Sequence, residues 1–214
     1  MLIDIHTHAS GNPETWVLGN IYKNFSEPPA GFYSAGLHPW FIETDTWRNE
    51  LQQVKELANS SRMLAVGECG LDRICATDYN LQKEVFEAQI RLANELDKPL
   101  ILHCVRAHEE MLQILAVNNN RVPTVFHGFN RGQQLAEKII EKGYCLSFGK
   151  ALQHQRVQHI LAGVPPGQFF LETDGEDISI DNIYDYASAA RNLSREHLLL
   201  QIQQNVQSVF KIKI

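Results

Sequence analysis

The stretch Leu2-Ile3-Asp4-Ile5-His6 is a short apolar run that ends in a polar residue. The same theme returns along the chain, and a helical pattern follows most of the runs. Runs of this length, bounded by Gly, Pro or Asn, are typical of strands that are buried on both faces of a parallel sheet. The predicted strands cover residues 2–6, 16–22 (the weakest pattern), 32–38, 63–68, 100–103, 122–127, 144–148 and 169–174.

The segments between these runs have helical periodicity. The clearest is 78–96, where Leu81, Val85, Leu92 and Leu96 form one apolar stripe, and Pro99 follows it. Alternating strands and helices predict an α/β fold, and eight strand-like runs favour a (β/α)8 TIM-type barrel over an open doubly wound sheet. The other predicted helices cover 45–58, 109–117, 133–142 and 152–161, then one from Asp181 and one capped by Ser194 that runs towards Phe210.

The chain is short for such a barrel. It has 214 residues, whereas about 250 are typical. The segment 9–31 contains three Gly, three Pro and one weak strand, which leaves no room for two helices. We therefore predict a single domain over residues 1–214, a shortened barrel whose early crossover helices are reduced to loops.

The composition excludes several classes of protein. An apolar fraction of 44% and a net charge of −6 exclude a disordered chain and a broad cationic surface for long duplex nucleic acid. No apolar stretch reaches the roughly 20 residues that span a bilayer, so no membrane association is expected. The amino terminus shows no secretory signal, and the four cysteines form no CxxC pair. These features predict reduced thiols and a cytoplasmic protein. A monomer is expected, although no sequence feature determines the oligomeric state.

Five of the predicted strands end in, or just before, residues that bind metals. His6 and His8 are two residues apart, so their side chains lie on the same face of an extended chain. Asp4, two residues before His6, lies on that face as well. The parallel strands of a barrel deliver their carboxyl ends to one rim, so these residues are expected to meet there. The full set of predicted ligands is His6, His8, Glu68, His103, His127 and Asp174.

Four imidazoles and two carboxylates suit divalent cations with open positions for water. Six ligands exceed the need of one tetrahedral ion, so we predict two ions, zinc, magnesium or manganese, bridged by a carboxylate. Paired ions of this kind activate water and hold a phosphoryl or carbonyl centre. A single histidine at a strand end is more often a satisfied polar residue, but four histidines, one glutamate and one aspartate at the ends of five separate runs indicate a metal site.

Several motifs of the chain resemble those of the TatD family, metal-dependent hydrolases and deoxyribonucleases of the amidohydrolase-like barrels. Order and spacing agree along the whole chain, including a closing helix with Asn205 and Phe210. The motifs with the shape G-E-x-G-L-D and E-T-D are the specific ones. The matching segments are Asp4-Ile5-His6-Thr7-His8, Gly36-Leu37-His38-Pro39, Val66-Gly67-Glu68-Cys69-Gly70-Leu71-Asp72, Leu102-His103-Cys104, Phe126-His127-Gly128-Phe129 and Leu171-Glu172-Thr173-Asp174.

The resemblance implies a role for each predicted ligand. His6 and His8 would hold one metal together with Asp174, His103 and His127 would hold the second, and Glu68 would bridge the two. Asp174 would also take the proton of the attacking water as general base, so Asp174 and Glu68 are the predicted catalytic pair. Asp4 and Asp72 are expected to orient neighbouring groups without binding metal.

The chain departs from the family pattern at the rim where substrate would bind. His103-Cys104-Val105-Arg106 replaces H-C-R-D, and His127-Gly128-Phe129-Asn130-Arg131-Gly132 replaces H-C-F-S-G. In Glu172-Thr173-Asp174-Gly175-Glu176, a glutamate stands where E-T-D-x-P has its proline. The amide dipoles of a helix that opens at Asn130-Arg131-Gly132 would favour a phosphate. The predicted substrate contacts are His38, Arg73, Arg106 and Arg131, with Trp40 and Lys150 nearby.

Three functions remain open from the sequence. The first is a phosphodiesterase that acts on DNA ends or oligonucleotides, with short or single-stranded DNA as substrate. The second is a hydrolase of a carbonyl-centred bond (ester, lactone, amide or aminoacyl-tRNA) or of another small phosphoester on the same metal site. The third is a metal-bound scaffold without turnover, which a missing ligand or base would indicate, and none is missing.

Overall fold

The structure, a computed structural model, describes residues 1–8 and 14–214. Within those residues it contains every predicted strand and helix. The strands are β1 (Leu2–Thr7), β2 (Thr15–Ile21), β3 (Phe32–Ala35), β4 (Met63–Asp72), β5 (Leu100–Val105), β6 (Thr124–Phe126), β7 (Cys145–Phe148) and β8 (Phe169–Leu171). The helices are α1 (Trp47–Leu57), α2 (Tyr79–Leu96), α3 (His108–Val117), α4 (Gln133–Glu141), α5 (Gln155–Gly163), α6 (Ile180–Arg191) and α7 (Arg195–Phe210).

The strand order in the sheet follows the chain from β1 to β8. The pairs β1–β2, β3–β4, β4–β5, β6–β7 and β7–β8 are parallel. The segment after β8 lies beside β1, since the amide of Asp174 donates to the carbonyl of His6 at 2.9 Å. Parallel strands in chain order, with helices between them, are the arrangement of a (β/α)8 fold. The predicted α/β class is confirmed.

The chain divides into two compact units. Unit 1 comprises Met1–Gly19 and Val125–Ile214, and unit 2 comprises Asn20–Thr124. Each has its own apolar core. Fully buried side chains of unit 1 include Ile5 and Phe170, and those of unit 2 include Tyr33 and Phe86. The expectation of a single domain over the whole chain stays a prediction.

The crossover from β2 to β3 is a loop. Residues 22–31 contain bends and turns and no helix, as the glycines and prolines of that segment predict. The segment 9–13, which also belongs to the predicted shortening, lies outside the described residues. No helix in the part of the chain that the structure describes is both long and apolar enough to span a membrane.

Some strand ends differ from those predicted. The strand β4 continues past Glu68 to Asp72, and its ten residues are all buried. The predicted strand 32–38 ends at Ala35, because His38 caps the short helical turn Pro39–Phe41 and its Nδ1 accepts from the amide of Trp40. The predicted cap of the last helix is confirmed, since the Ser194 hydroxyl accepts from the amide of His197.

Two glutamines of α2 fix the ends of neighbouring strands in unit 2. The side chain of Gln89 pairs with the backbone of Leu37, accepting from its amide at 2.7 Å and donating to its carbonyl at 3.1 Å. Gln82 does the same with Asp72, at 2.8 and 3.1 Å. Both side chains are buried, so each pairing satisfies backbone groups that water does not reach. The helix therefore positions the segments that carry His38 and Asp72.

We expect Gln89→Met to lower the free energy of unfolding by about 2–4 kcal/mol, because it leaves the buried amide and carbonyl of Leu37 without their partner. Chemical denaturation followed by circular dichroism measures this. Gln52→Met on the exposed face of α1 is the matched control and should change stability by less than about 0.5 kcal/mol. Equal effects of the two substitutions would contradict the bracing role of Gln89.

Candidate active site

Three predicted ligands of unit 1 lie together. One ligand atom from each of His6, His127 and Asp174 lies within 4.8 Å of the others. The Nε2 atoms of His6 and His8 are both 3.4 Å from Oδ1 of Asp174. The H-x-H spacing thus places both imidazoles on one side of β1, as strand geometry requires. The ring centres of His6 and His127 are 4.5 Å apart.

The backbone turns sharply at Asp174. Its φ of 53° is left-handed, and Gly175 follows with a φ of 67°. A Cβ at Gly175 would lie 3.3 Å from the Cβ of His8, so glycine lets the two segments approach. Burial by itself raises the pKa of Asp174, but hydrogen bonds from His6 and His8 and the charge of His127 outweigh it and hold the pKa below its usual range. Asp174 is therefore a carboxylate at neutral pH.

Asp4 holds the segment that carries Asp174. Its Oδ2 accepts from the Thr173 hydroxyl at 2.6 Å, and its Oδ1 accepts from the Thr173 amide at 3.1 Å and from the His6 amide at 3.3 Å. Burial raises the pKa of Asp4 to about 6, although these hydrogen bonds lower it. These contacts agree with the expected orienting role of Asp4, which stays a prediction.

Unit 2 contains a second group of the same chemistry. His38, Glu68 and His103 each offer one ligand atom within 4.8 Å of the others. Oε1 of Glu68 is 2.8 Å from Nδ1 of His103 and 3.2 Å from Nε2 of His38. His38, predicted as a substrate contact, is thus placed among the candidate metal ligands of this unit. Glu68 and His38 are both buried.

Asp72 contacts His103 on the other side of the imidazole ring. Its Oδ2 lies 3.2 Å from Nε2 of His103 and accepts from Nε1 of Trp40 at 2.6 Å. Burial raises the pKa of Asp72, but the hydrogen bonds from Trp40, Ile74 and His103 lower it further, so the net shift is downward. The resulting carboxylate contacts a candidate ligand, which agrees with the expected orienting role of Asp72, and that role stays a prediction.

Two glycines around Glu68 allow β4 to approach β5 closely. Gly67 has a φ of 144°, and a Cβ there would lie 2.4 Å from the carbonyl oxygen of Ile101. Gly70 has a φ of 143°, and its Cβ would lie 2.1 Å from the carbonyl oxygen of His103. Both the conformation and the contact exclude larger residues. The spacing G-E-x-G is therefore a packing requirement that brings Glu68 beside His103.

The two groups fit divalent cations by their donor chemistry. Each combines imidazole nitrogens with carboxylate oxygens, the ligands that zinc and similar transition metals take in catalytic sites. Each also has carboxylates or hydroxyls around its ligands, such as Asp72 at His103 and Thr173 beside Asp174. Such outer contacts orient ligands in metal sites. The candidate residues therefore suit the cations that the sequence predicts.

Comparison with known proteins decides the family. A family model described as TatD related DNase matches residues 12–211. The chain belongs to this family. The resemblance seen in the motifs is thereby confirmed, and the chain is a metal-dependent hydrolase.

Some relatives of this TatD-related chain are named only as hydrolases, and others are named as nucleases. An uncharacterized metal-dependent hydrolase of Escherichia coli K12, YjjV, is 28% identical over 176 residues, which cover 79% of this chain and 67% of the relative. A 3'-5' ssDNA/RNA exonuclease TatD of Cronobacter sakazakii is 31% identical over 181 residues, covering 80% of this chain and 68% of that protein.

Solved structures of TatD proteins have the same fold. The crystal structure of Escherichia coli YjjV superposes with a TM-score of 0.87 at 21% identity, over 99% of this chain and 98% of that one. A TatD family hydrolase of Entamoeba histolytica gives 0.76 at 13% identity, over 98% and 97%. The predicted TIM-type barrel fold is confirmed.

The basic residues predicted to contact substrate in this TatD-related chain have different surroundings. Arg73 pairs with Glu110 and lies over the ring of Tyr79, with 4.5 Å from its guanidinium carbon to the ring centre. Arg106 is exposed, with a left-handed φ of 54°. Arg131 lies just before α4 and is partly exposed. Lys150 pairs with Glu176 at 3.0 Å. Their contact with substrate stays a prediction.

Sequence reasoning missed two residues that hold the candidate ligands. The Asn20 amide donates to Oε2 of Glu68 at 3.0 Å and accepts from the Glu68 backbone amide at 2.9 Å. Glu172 is fully buried, and its Oε1 lies 3.4 Å from Nδ1 of His127 and accepts from the amide of Gly128. A signal existed for Asn20, which shares the strand face of the buried Trp16 and Leu18.

We expect Asn20→Ala to weaken the binding of Mn²⁺ or Zn²⁺ about tenfold, because Glu68 loses the amide that fixes its carboxylate. Isothermal titration calorimetry on metal-depleted protein measures this. Asn59→Ala, at an exposed position after α1, is the control and should bind metal as the parent chain does. Unchanged affinity in Asn20→Ala, with the fold intact, would show that Asn20 does not support a ligand.

Proposed function

We propose that the chain hydrolyses phosphodiester bonds in short or single-stranded DNA, at ends or in oligonucleotides, with two divalent cations. The observation that carries the proposal is the grouping of His6, His127 and Asp174, three metal-ligand types whose donor atoms lie within 4.8 Å. The name of the Cronobacter sakazakii relative, a 3'-5' ssDNA/RNA exonuclease, supports the choice of substrate. The negative net charge of −6 agrees with single strands rather than long duplex.

In this proposal the cations would be held by His6, His8, Glu68, His103, His127 and Asp174. Divalent cations lower the pKa of bound water and stabilise negative charge on a phosphoryl oxygen. The division of these ligands between the two cations, as the family resemblance implies it, stays part of the proposal. So does the choice among zinc, magnesium and manganese.

The side chains of this chain supply the proton transfer and its orientation. Asp174, a carboxylate at neutral pH, is proposed to accept the proton of the attacking water. His6 and His8, both 3.4 Å from its Oδ1, orient the carboxylate. Asp4 and Thr173 fix the backbone on which it stands. Arg73, Arg106 and Arg131 are proposed to contact the phosphates of the strand.

The place of action is proposed to be the cytoplasm. All four cysteines are free, and Cys69 and Cys145 are buried. Burial raises the pKa of the Cys145 thiol to about 12, so it stays protonated at neutral pH. Free thiols are typical of a reducing compartment. The monomeric state stays a prediction.

We expect Asp174→Asn to lower kcat for a labelled single-stranded oligonucleotide at least about a thousandfold, because it removes a ligand and the base together. The assay compares single-stranded DNA, RNA, duplex DNA and simple carboxylic esters with Mg²⁺, Mn²⁺ or Zn²⁺. Lys213→Ala, near the carboxyl terminus and outside the candidate groups, is the control and should keep full activity.

If the chain cleaves only carboxylic esters, the proposal is wrong and the second hypothesis, a hydrolase of carbonyl-centred bonds, is supported. DNA cleavage that persists in Asp174→Asn would assign the activity to another mechanism. Removal of metal by a chelator should abolish cleavage, and the added cation should restore it. Tight binding of long duplex DNA with a steep salt dependence would contradict the preference for single strands.

A further inference from the structure

Trp40 is exposed, although its indole nitrogen has a partner. The residue is 55% exposed, whereas the other two tryptophans, Trp16 and Trp47, are 7% and 5% exposed. A tryptophan buries a large apolar area when it packs, so an exposed one that is held in place is suited to contact a ligand. No function described above uses the faces of this ring.

The position of Trp40 is fixed beside the candidate ligands of unit 2. Its Nε1 donates to Oδ2 of Asp72 at 2.6 Å, and its amide donates to Nδ1 of His38 at 3.2 Å. Its ring centre is 5.2 Å from that of His38 and 6.0 Å from that of His103, both with steep interplanar angles. Both histidine rings therefore stand steeply against the indole plane, and a group bound at the exposed part of the indole would lie next to them.

The neighbouring residues extend this surface. Phe41 is 36% exposed and stacks on Tyr22, with 5.1 Å between ring centres and 21° between planes. Nζ of Lys23 lies 3.7 Å from the centre of the Phe41 ring. We name Tyr22, Lys23, Trp40 and Phe41 the aromatic platform.

A cavity of about 570 Å³ adjoins the aromatic platform, a size that suits a small ligand. Tyr22, Lys23 and Phe41 line it, and Lys23 is the one cation among its lining residues in the described chain. The remaining polar groups are amides, hydroxyls and carboxylates, all of which can form hydrogen bonds with the edge of a base. The two carboxylates repel phosphate, so the cavity does not suit a ligand with several phosphates. The polar lining residues are Asn24, Ser26, Glu43, Thr46, Asn49, Glu50 and Gln53.

We propose that the aromatic platform binds an unpaired nucleobase of a single strand, stacked on Trp40, with Lys23 facing a phosphate. Aromatic faces stack on any base, so the platform selects unpaired strands without selecting sequence. A paired duplex keeps its bases stacked and does not offer them. The proposal deepens the proposed function and rests on it, since it names how the substrate is held.

The test measures binding without cleavage. The Asp174→Asn chain, loaded with Mg²⁺, is titrated with a short fluorescein-labelled oligothymidylate, and anisotropy gives the dissociation constant. We expect Trp40→Ala to weaken binding about tenfold, and Trp40→Phe, which keeps an aromatic face but loses the bond to Asp72, to stay within about threefold. Val117→Ala, an exposed apolar residue of α3, is the control and should bind as the parent does.

Two further readouts separate stacking from structural damage. Unlabelled oligothymidylate should quench the emission of exposed Trp40, and a strand of the same length with abasic sites should not. In Lys23→Ala, the slope of the logarithm of the binding constant against the logarithm of salt concentration should fall by about one, since one phosphate contact is lost. Equal affinity in Trp40→Ala and the parent would overturn the platform, and so would equal losses in Trp40→Phe and Trp40→Ala.

The two proposals fail differently. If the unsubstituted chain cleaves single strands but Trp40→Ala binds them normally, the platform is wrong and the proposed function stands. If the unsubstituted chain cleaves carboxylic esters and the Asp174→Asn chain binds no oligonucleotide, the proposed function fails and the platform fails with it.

Discussion

Contact between carboxylates and imidazoles at strand ends is the constraint on which the candidate chemistry depends. Glu68 beside His103 in unit 2 is buried, and Asp174 beside His6 in unit 1 is partly shielded, with 34% of its side chain exposed. An isolated buried carboxylate is costly, so these groups persist only with partners. The imidazoles supply partners in the absence of metal, and the same atoms suit a cation. The fold thus keeps a ligand set assembled.

The contacts around these groups explain how they keep their positions. Polar side chains from adjacent elements pair with the backbone or the carboxylates at strand ends, as Gln89 does with Leu37 and Asn20 with Glu68. Thr173 serves the same purpose next to Asp174, through Asp4. Each bracing side chain makes at least two hydrogen bonds, so removal of one leaves several groups without partners.

The sequence predicted the fold because short apolar runs, typical of buried strands, alternate along the chain with segments of helical periodicity. The helix 78–96 was predicted from its apolar stripe, and α2 spans Tyr79–Leu96. Strand ends were predicted less well: β3 stops at Ala35, and His38, whose backbone is still extended, caps the helical turn Pro39–Phe41. Periodicity does not register such caps, nor the extension of β4 to Asp72.

Part of the candidate site could also be predicted. The pairing of His6 with His8 followed from strand alternation, and the orientation of both towards Asp174 agrees with it. The placement of His38 beside Glu68 did not follow from spacing, because it depends on the turn at Pro39–Phe41. Glu172 was missed, since its contact with His127 joins two segments that are 45 positions apart and is set by the tertiary structure. The exposure of Trp40 is equally a matter of tertiary structure.

The most direct test of the account is a crystal structure of the chain with Mn²⁺ or Zn²⁺, with anomalous difference density collected at the metal edge. The account predicts one strong peak within coordination distance of His6 and Asp174, and a second against Glu68 and His103. Density that leaves all of these side chains without a cation, in crystals of protein that is active with the same metal, would contradict it.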